Sequence, residues 1–139
     1  RGADPSDLSD NDYALIELDR DVSIAPLALE RAGFTAGEEV NPYVIDHVSA
    51  TDARIVKLEC TVSTISSNGR DNVLERCPAI GGNSGSPILN SAGDVAGVLY
   101  AAQETTVDEE TDITTRVETN TISLGFSMTK VLEHLDTWL

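Results

Sequence analysis

The chain has 139 residues, of which 40% are hydrophobic and 24% charged, and its formal net charge is −15. A chain of this length and composition can form one globular domain with its own core, and the composition excludes an intrinsically disordered protein. The acidic balance excludes nucleic acid and anionic membranes as partners, and no apolar run approaches the roughly 18 residues of a membrane span.

The first 35 residues contain one apolar strand between two polar stretches. Residues 1–11 are rich in Ser, Asp and Asn, which predicts an irregular segment. Residues 12–18 read Asp-Tyr-Ala-Leu-Ile-Glu-Leu and predict a mostly buried β-strand. Asp12 has two interpretations, since it either bounds this strand or is a functional carboxylate. From Pro26 onward, a polar stretch broken by two glycines predicts a linker.

Residues 40–76 carry the pattern of short strands. Alternating apolar residues predict a strand over 40–48, broken at its start by Pro42, and one or two further strands over 53–65. Asn68-Gly69 is the strongest local hairpin signal of the chain.

The stretch 77–90 places a serine among glycines and continues with a proline and an apolar run. Glycine is needed where the backbone takes a positive φ or where another group approaches closely. A nucleophilic serine needs an exposed hydroxyl, and it needs backbone N–H groups aimed at the oxygen that becomes negative during acyl transfer. Ser84 is therefore a candidate nucleophile. The alternative is a glycine- and serine-rich loop without chemistry.

The remaining sequence predicts more strands and a terminal helix. Two strands flank a turn at 91–93, and a last strand covers 122–127. From Thr129 onward, apolar residues recur on one helical face, with Ser127 or Thr129 as the cap. Many short strands with one terminal helix indicate an antiparallel β-barrel, so the predicted fold class is all-β.

Acidic residues are concentrated in two windows, since 13 of the 24 lie in residues 1–21 and 103–120. Such runs are interpreted as solvated loops. The alternative, a calcium site at 108–112, lacks the alternate-position ligands and the turn glycine of a dedicated calcium loop. Cys and His are also too few for a structural zinc site, so we expect no metal and no cofactor.

The segment 82–87 reads Gly-Asn-Ser-Gly-Ser-Pro. It resembles the nucleophile signature of trypsin-like (chymotrypsin-fold) serine proteases, nearest to their bacterial glutamyl-endopeptidase branch. The resemblance implies a double β-barrel fold. In this chain, 1–35 would be the end of the first barrel, with the strand of the triad aspartate and the inter-barrel linker. Residues 36–139 would be the second, six-stranded antiparallel barrel, with the nucleophile loop and a C-terminal α-helix.

The same resemblance assigns roles to individual residues. Ser84 corresponds to the nucleophile, and the N–H groups of Gly82 and Ser84 correspond to the oxyanion hole. Asp12 corresponds to the triad aspartate, because its strand is similar to the Asp-Ile-Ala-Leu-Leu-x-Leu strand of the family. A disulfide between Cys60 and Cys77 is also implied, although the sequence alone leaves free thiols open.

The histidine of the triad has no counterpart in this sequence. The family order is His, Asp, Ser, yet His47 and His134, the only histidines, both follow Asp12. The orders Asp12–His47–Ser84 of subtilisin-like enzymes and Ser–Asp–His of α/β-hydrolases (with Asp108 or Asp112) both need an α/β chain, which the pattern does not predict. Both histidines are interpreted as surface residues. We therefore expect the catalytic histidine on an upstream segment, and this chain alone to be inactive.

The resemblance also locates the substrate pocket. Its walls would be two uncharged runs, one of Pro78, Ala79 and Ile80 and the other of Tyr100, Ala101 and Ala102. Leu99 stands where glutamyl endopeptidases usually carry a histidine, so small or apolar substrate side chains are expected instead of glutamate. Asn83 replaces the aspartate that pairs with a freed N-terminus in trypsin-type zymogens, and that activation switch is not expected.

Together these features predict the C-terminal portion of a secreted serine endopeptidase. The protein would be secreted, extracellular or periplasmic, and its partners would be a protein or peptide substrate and the missing N-terminal barrel segment that carries the histidine. A catalytically inactive protease homologue that acts as a binding module is the main alternative. An unrelated secreted β-domain is the third hypothesis.

Overall fold

The computed structural model describes residues 13–49, 52–67, 72–102 and 121–138. Within these ranges the chain forms seven β-strands and a C-terminal α-helix. They are β1 (Glu39–Ser49), β2 (Asp52–Lys57), β3 (Cys60–Thr64), β4 (Asn72–Glu75), β5 (Pro87–Leu89), β6 (Val95–Ala102), β7 (Ile122–Ser127) and α1 (Met128–Trp138). The predicted hairpin turn at Asn68-Gly69 and the acidic segment 103–120 lie outside the described residues.

Six of these strands close into an antiparallel barrel. The strand order is β1-β3-β4-β7-β6-β5, and β5 pairs with β1 again to complete the ring. β2 lies outside the ring and pairs with the outer half of β1, with Ile45 opposite Ile55. The prediction of an all-β fold with a six-stranded antiparallel barrel and a C-terminal helix is confirmed.

The barrel closes because each strand turns branched apolar side chains inward at alternate positions. The interior is formed by fully buried side chains of different strands, among them Val40, Val44, Val62, Leu74, Ile88 and Leu99. Burying one such side chain contributes about 1.5–3 kcal/mol. The predicted break at Pro42 was wrong, because this residue lies inside β1. Its carbonyl accepts a bond from the Leu58 N–H (2.9 Å), and its missing N–H falls where β1 changes partner from β5 to β2.

The helix packs on the outer face of β6 and β7. Val131 and Leu132 are buried against Phe126, as the apolar periodicity predicts. Of the two predicted caps, the Ser127 hydroxyl accepts the N–H of Thr129 at 3.3 Å. This satisfies one of the N–H groups that a helix start leaves open.

The predicted buried strand over 12–18 was wrong for its described part. Residues 13–18 form no strand, and Ile16 is 83% exposed. The reason is topological. The ring of six strands closes without this segment, and the outer half of β1 pairs with β2, so neither the interior nor that edge of β1 is available to it. Tyr13 alone is anchored, with its ring 5.1 Å from that of Phe126.

The segment after it stays on the surface until it meets the barrel near β6. The N–H of Val95 donates to the carbonyl of Ala28 (2.8 Å), and the N–H of Glu30 donates to the carbonyl of Val95 (2.9 Å). Residues 14–29 are exposed throughout, including several large apolar side chains: Leu15, Ile16, Leu18, Val22, Ile24, Leu27 and Leu29. Within the described residues, no helix is long and apolar enough to cross a membrane.

Candidate active site

The loop between β4 and β5 makes two tight turns around Ser84. The N–H of Asn83 donates to the carbonyl of Ile80, and the N–H of Ser86 donates to the carbonyl of Asn83, each at 3.1 Å. Gly82 and Gly85 on either side have φ values of 91° and 90°. Glycine adopts this region without the steric cost that a Cβ imposes. The glycines therefore allow the chain to reverse twice within seven residues and to leave Ser84 at the tip.

The loop is attached to β6 by three hydrogen bonds. The N–H of Gly85 donates to the carbonyl of Leu99 (2.8 Å), and the N–H of Leu99 donates to the carbonyl of Ser86 (2.9 Å). The hydroxyl of Ser84 itself donates to the carbonyl of Tyr100 at 3.1 Å. Ser84 is exposed, so its hydroxyl is accessible from solvent while its direction is set by β6.

Two backbone N–H groups lie beside this hydroxyl. Within the described part of the chain, the N–H groups of Gly82 and Ser84 make no hydrogen bond, and both residues are exposed. Other N–H groups of the same loop are used: those of Ile80, Asn83 and Ser86 bond within the loop, and that of Gly85 donates to Leu99 on β6. Two free donors at positions 82 and 84 of one turn can stabilise a negative oxygen that forms next to the serine.

Asn83 is the buried centre of the loop, with only 3% of its surface exposed. Its Nδ2 donates to the carbonyl of Ile45 on β1 at 2.9 Å, and its Oδ1 accepts the N–H of Ile80 at 3.0 Å. The sequence singled out Asn83 only as a replacement for an acid. Its structural role was missed because the partner on β1 is 38 residues away along the chain.

A pocket of about 70 Å³ opens beside Ser84. Its lining residues carry no charge, and they are Ile80, Gly81, Ser84, Leu99, Ala101 and Ala102. The structure thus brings together three of the six residues predicted for the pocket. The other three lie elsewhere, because Pro78 and Ala79 are buried in the barrel and Tyr100 packs beside the helix.

Cys60 and Cys77 form the predicted disulfide. It joins the start of β3 to the segment that leads into the nucleophile loop. The carbonyl of Cys77 also accepts the hydroxyl of Ser123 on β7 at 2.8 Å. This segment is therefore held by a covalent bond and by a hydrogen bond before the chain reaches Ser84.

The other ionisable candidates contribute no described contact to the site. Asp12 lies outside the described residues and directly precedes the anchored Tyr13. His47 lies on β1 and pairs through its backbone with Ala53, whereas His134 belongs to α1. The structure describes neither imidazole. No group of three or more His, Cys, Asp or Glu that could hold a metal occurs in the described ranges.

Comparison with known proteins agrees with this geometry. The Trypsin family model matches residues 1–122, a span that includes Asp12, the Ser84 loop and β6. A search of curated proteins found no match. The family match covers most of the chain, and the closed antiparallel barrel with a C-terminal helix is consistent with the trypsin-like fold. The chain therefore belongs to the trypsin family and is a trypsin-like serine protease.

Proposed function

We propose that this chain is the C-terminal portion of a secreted endopeptidase that cleaves peptide bonds through an acyl-enzyme on Ser84. The observation that supports this most directly is the combination found in one exposed turn. A serine hydroxyl, two unused N–H groups and an uncharged pocket lie side by side in a chain of the trypsin family.

In the proposed reaction, Oγ of Ser84 attacks the carbonyl carbon of the substrate and its proton passes to a histidine. The carbonyl oxygen becomes negative and accepts the N–H groups of Gly82 and Ser84. When the C–N bond breaks, the histidine gives its proton to the leaving amine. Water then attacks the acyl-enzyme, the histidine takes a proton from that water, and it returns a proton to Oγ of Ser84 as the acid product leaves. Asp12 holds the imidazole in the correct tautomer.

In this proposal, an upstream segment supplies the histidine. The described partner of the Ser84 hydroxyl is the carbonyl of Tyr100, and a backbone carbonyl cannot act as the general base. The exposed apolar segment 14–29 supports an upstream barrel as the source, since contiguous exposed apolar surface of this kind marks an interaction site.

The pocket supports small or apolar side chains as the preferred substrate residues. Its volume is small, about 70 Å³. No charged group lines it, so a charged substrate side chain would lose its hydration without an ionic partner. The disulfide supports secretion, because such bonds persist in oxidising compartments.

The test is labelling by a fluorophosphonate, in which Oγ of Ser84 displaces fluoride from phosphorus. The longer protein with its upstream segment should be labelled, Ser84→Ala should abolish labelling, and the matched control Ser86→Ala should retain it. The 139-residue chain alone should hydrolyse no peptide. Among peptide substrates, those with alanine or valine before the cleaved bond should give a higher kcat/KM than those with glutamate or lysine.

Two results would contradict the proposal. Labelling that persists in Ser84→Ala would remove Ser84 as the nucleophile. A longer protein that carries the upstream histidine and still neither labels nor cleaves would favour an inactive homologue that serves as a binding module.

A further inference from the structure

Asn83 uses every polar group that it has. Its backbone N–H donates to Ile80, its backbone carbonyl accepts from Ser86, its Oδ1 accepts the N–H of Ile80, and its Nδ2 donates to the carbonyl of Ile45. Three of these bonds close the loop on itself, and the fourth ties it to β1. Gly82 and Ser84, whose N–H groups make no hydrogen bond in the described structure, are its two neighbours in the chain.

At neutral pH, the amide of Asn83 makes both side-chain bonds at once, which an ionised carboxylate cannot do. The Ile80 N–H needs an acceptor and the Ile45 carbonyl needs a donor, and an amide supplies one of each. An ionised carboxylate has acceptors only, so it would turn a lone pair toward the Ile45 carbonyl. An apolar side chain would leave both backbone groups unpaired in a buried place, which is costly.

From this geometry, and resting on the proposed function of Ser84, we infer that Asn83 is the positioning residue of the nucleophile loop. Its amide clamps the loop to β1 and thereby sets the directions of the Gly82 and Ser84 N–H groups. The clamp contains no charged partner in the described structure. The loop therefore reaches its working shape without an ion pair to a freed amino terminus, and its shape does not depend on pH in the neutral range.

The ionisable groups on the packed elements are few. On β1, Asp46 follows Ile45 and is paired with Arg54 at 3.0 Å, and His47 comes next with an imidazole outside the described residues. On β6, Tyr100 offers its carbonyl to Ser84. Residues 80–86 themselves contain no ionisable side chain. A carboxylate placed at position 83 would thus be the only ionisable side chain of the loop.

The experiment compares four forms of the longer protein: the natural sequence, Asn83→Asp, Asn83→Leu and the control Asn90→Asp. Asn90 is a matched control because its amide is also used on both sides, away from Ser84. Its Oδ1 accepts two N–H groups in the turn before β6, and its Nδ2 donates to the carboxylate of Glu30 at 3.2 Å. The rate of fluorophosphonate labelling is measured between about pH 5 and pH 8, and thermal unfolding verifies that each variant is folded.

At pH 8, Asn83→Asp and Asn83→Leu should label roughly tenfold to a hundredfold more slowly than the natural sequence, since a buried hydrogen-bonding group is left unpaired. The deficit of Asn83→Asp should shrink as the pH falls. Burial raises the pKa of a carboxyl, and the protonated form can donate to Ile45 while it accepts from Ile80. The deficit of Asn83→Leu should not change with pH, and Asn90→Asp should label normally.

Equal labelling by all four forms would overturn the inference, and so would an Asn83→Asp deficit that is constant from pH 5 to pH 8. Amide hydrogen exchange separates this inference from the proposed function. If the natural protein does not label at all, the proposed function fails, but the Ile80 amide must still be protected in the natural protein. An unprotected Ile80 amide would refute the clamp whether or not any variant folds.

Discussion

Gly97→Ala should destabilise the barrel more than an ordinary surface substitution does. Gly97 lies in β6 opposite Ser127, at the point where β6 packs against both β7 and the side chain of Phe34. A Cβ at this position would lie 2.4 Å from the carbonyl oxygen of Phe126 and 2.4 Å from Cζ of Phe34. Ordinary contacts between carbon atoms are about 3.5–4.0 Å long, so something has to move by more than an ångström.

Neither neighbour can move at low cost. The Phe126 carbonyl belongs to the backbone of β7, so shifting it strains the pairing with Val98. Phe34 is buried in the main core, and its ring has no free volume to enter. Overpacking costs about 1–3 kcal/mol, and a weakened ladder bond adds about 1 kcal/mol. We therefore expect a loss of about 3–4 kcal/mol, a large part of the roughly 5–15 kcal/mol that stabilises a domain.

Urea unfolding followed by circular dichroism measures this loss. The matched control is Gly81→Ala, where the new Cβ would have no atom within 4 Å and the backbone φ is not positive. That variant should stay within about 0.5 kcal/mol of the natural chain. Phe34→Leu removes the Cζ contact, so the double variant should lose less than the sum of the two single variants. A Gly97→Ala loss below about 1 kcal/mol would refute the close approach of β6 and β7.

Two further predictions concern stability. Replacing Cys60 and Cys77 by alanine should cost about 3 kcal/mol in urea unfolding, and a reductant should destabilise the natural chain but not the variant; equal stability of the two would contradict this. Burial raises the pKa of the Tyr13 hydroxyl, so the unfolded chain loses this proton at a lower pH than the folded chain. Stability should therefore be unaffected below the unfolded value of about 10 and fall above it. Tyr13→Phe should reduce that fall relative to the natural chain, and an identical pH slope in the variant and the natural chain would contradict this.

The nucleophile loop could be predicted from sequence because its geometry is local. Gly82, Ser84 and Gly85 are nearly adjacent, and the need for a positive φ at both glycines follows from the turn itself. The same holds for the helix, because its apolar face and its Ser127 cap follow from the residue types within one short segment. Strand patterns of period two were also sufficient for the all-β class, since alternation is a property of each strand alone.

The surroundings of the loop could not be predicted in this way, because they depend on contacts between distant segments. The residues 13–18 have the composition of a buried strand, yet the closed ring of six strands leaves them outside. The pocket is lined by Gly81 and Leu99, which were not predicted, and not by Pro78 and Tyr100, which were. The path of β6 past the loop determines which residues line it.

By itself, therefore, the sequence of this protein determined the reactive turn and the class of the fold, both of which rest on patterns of neighbouring residues. The disulfide was expected only through the resemblance to the family. Only the tertiary structure decided which strands close the barrel and which residues line the pocket. It also showed that the Asn83 amide reaches β1. The physical reason is that the hydrogen bond between Asn83 and Ile45 joins residues 38 positions apart. It forms only when the whole barrel closes, and the sequence near either residue does not determine that closure.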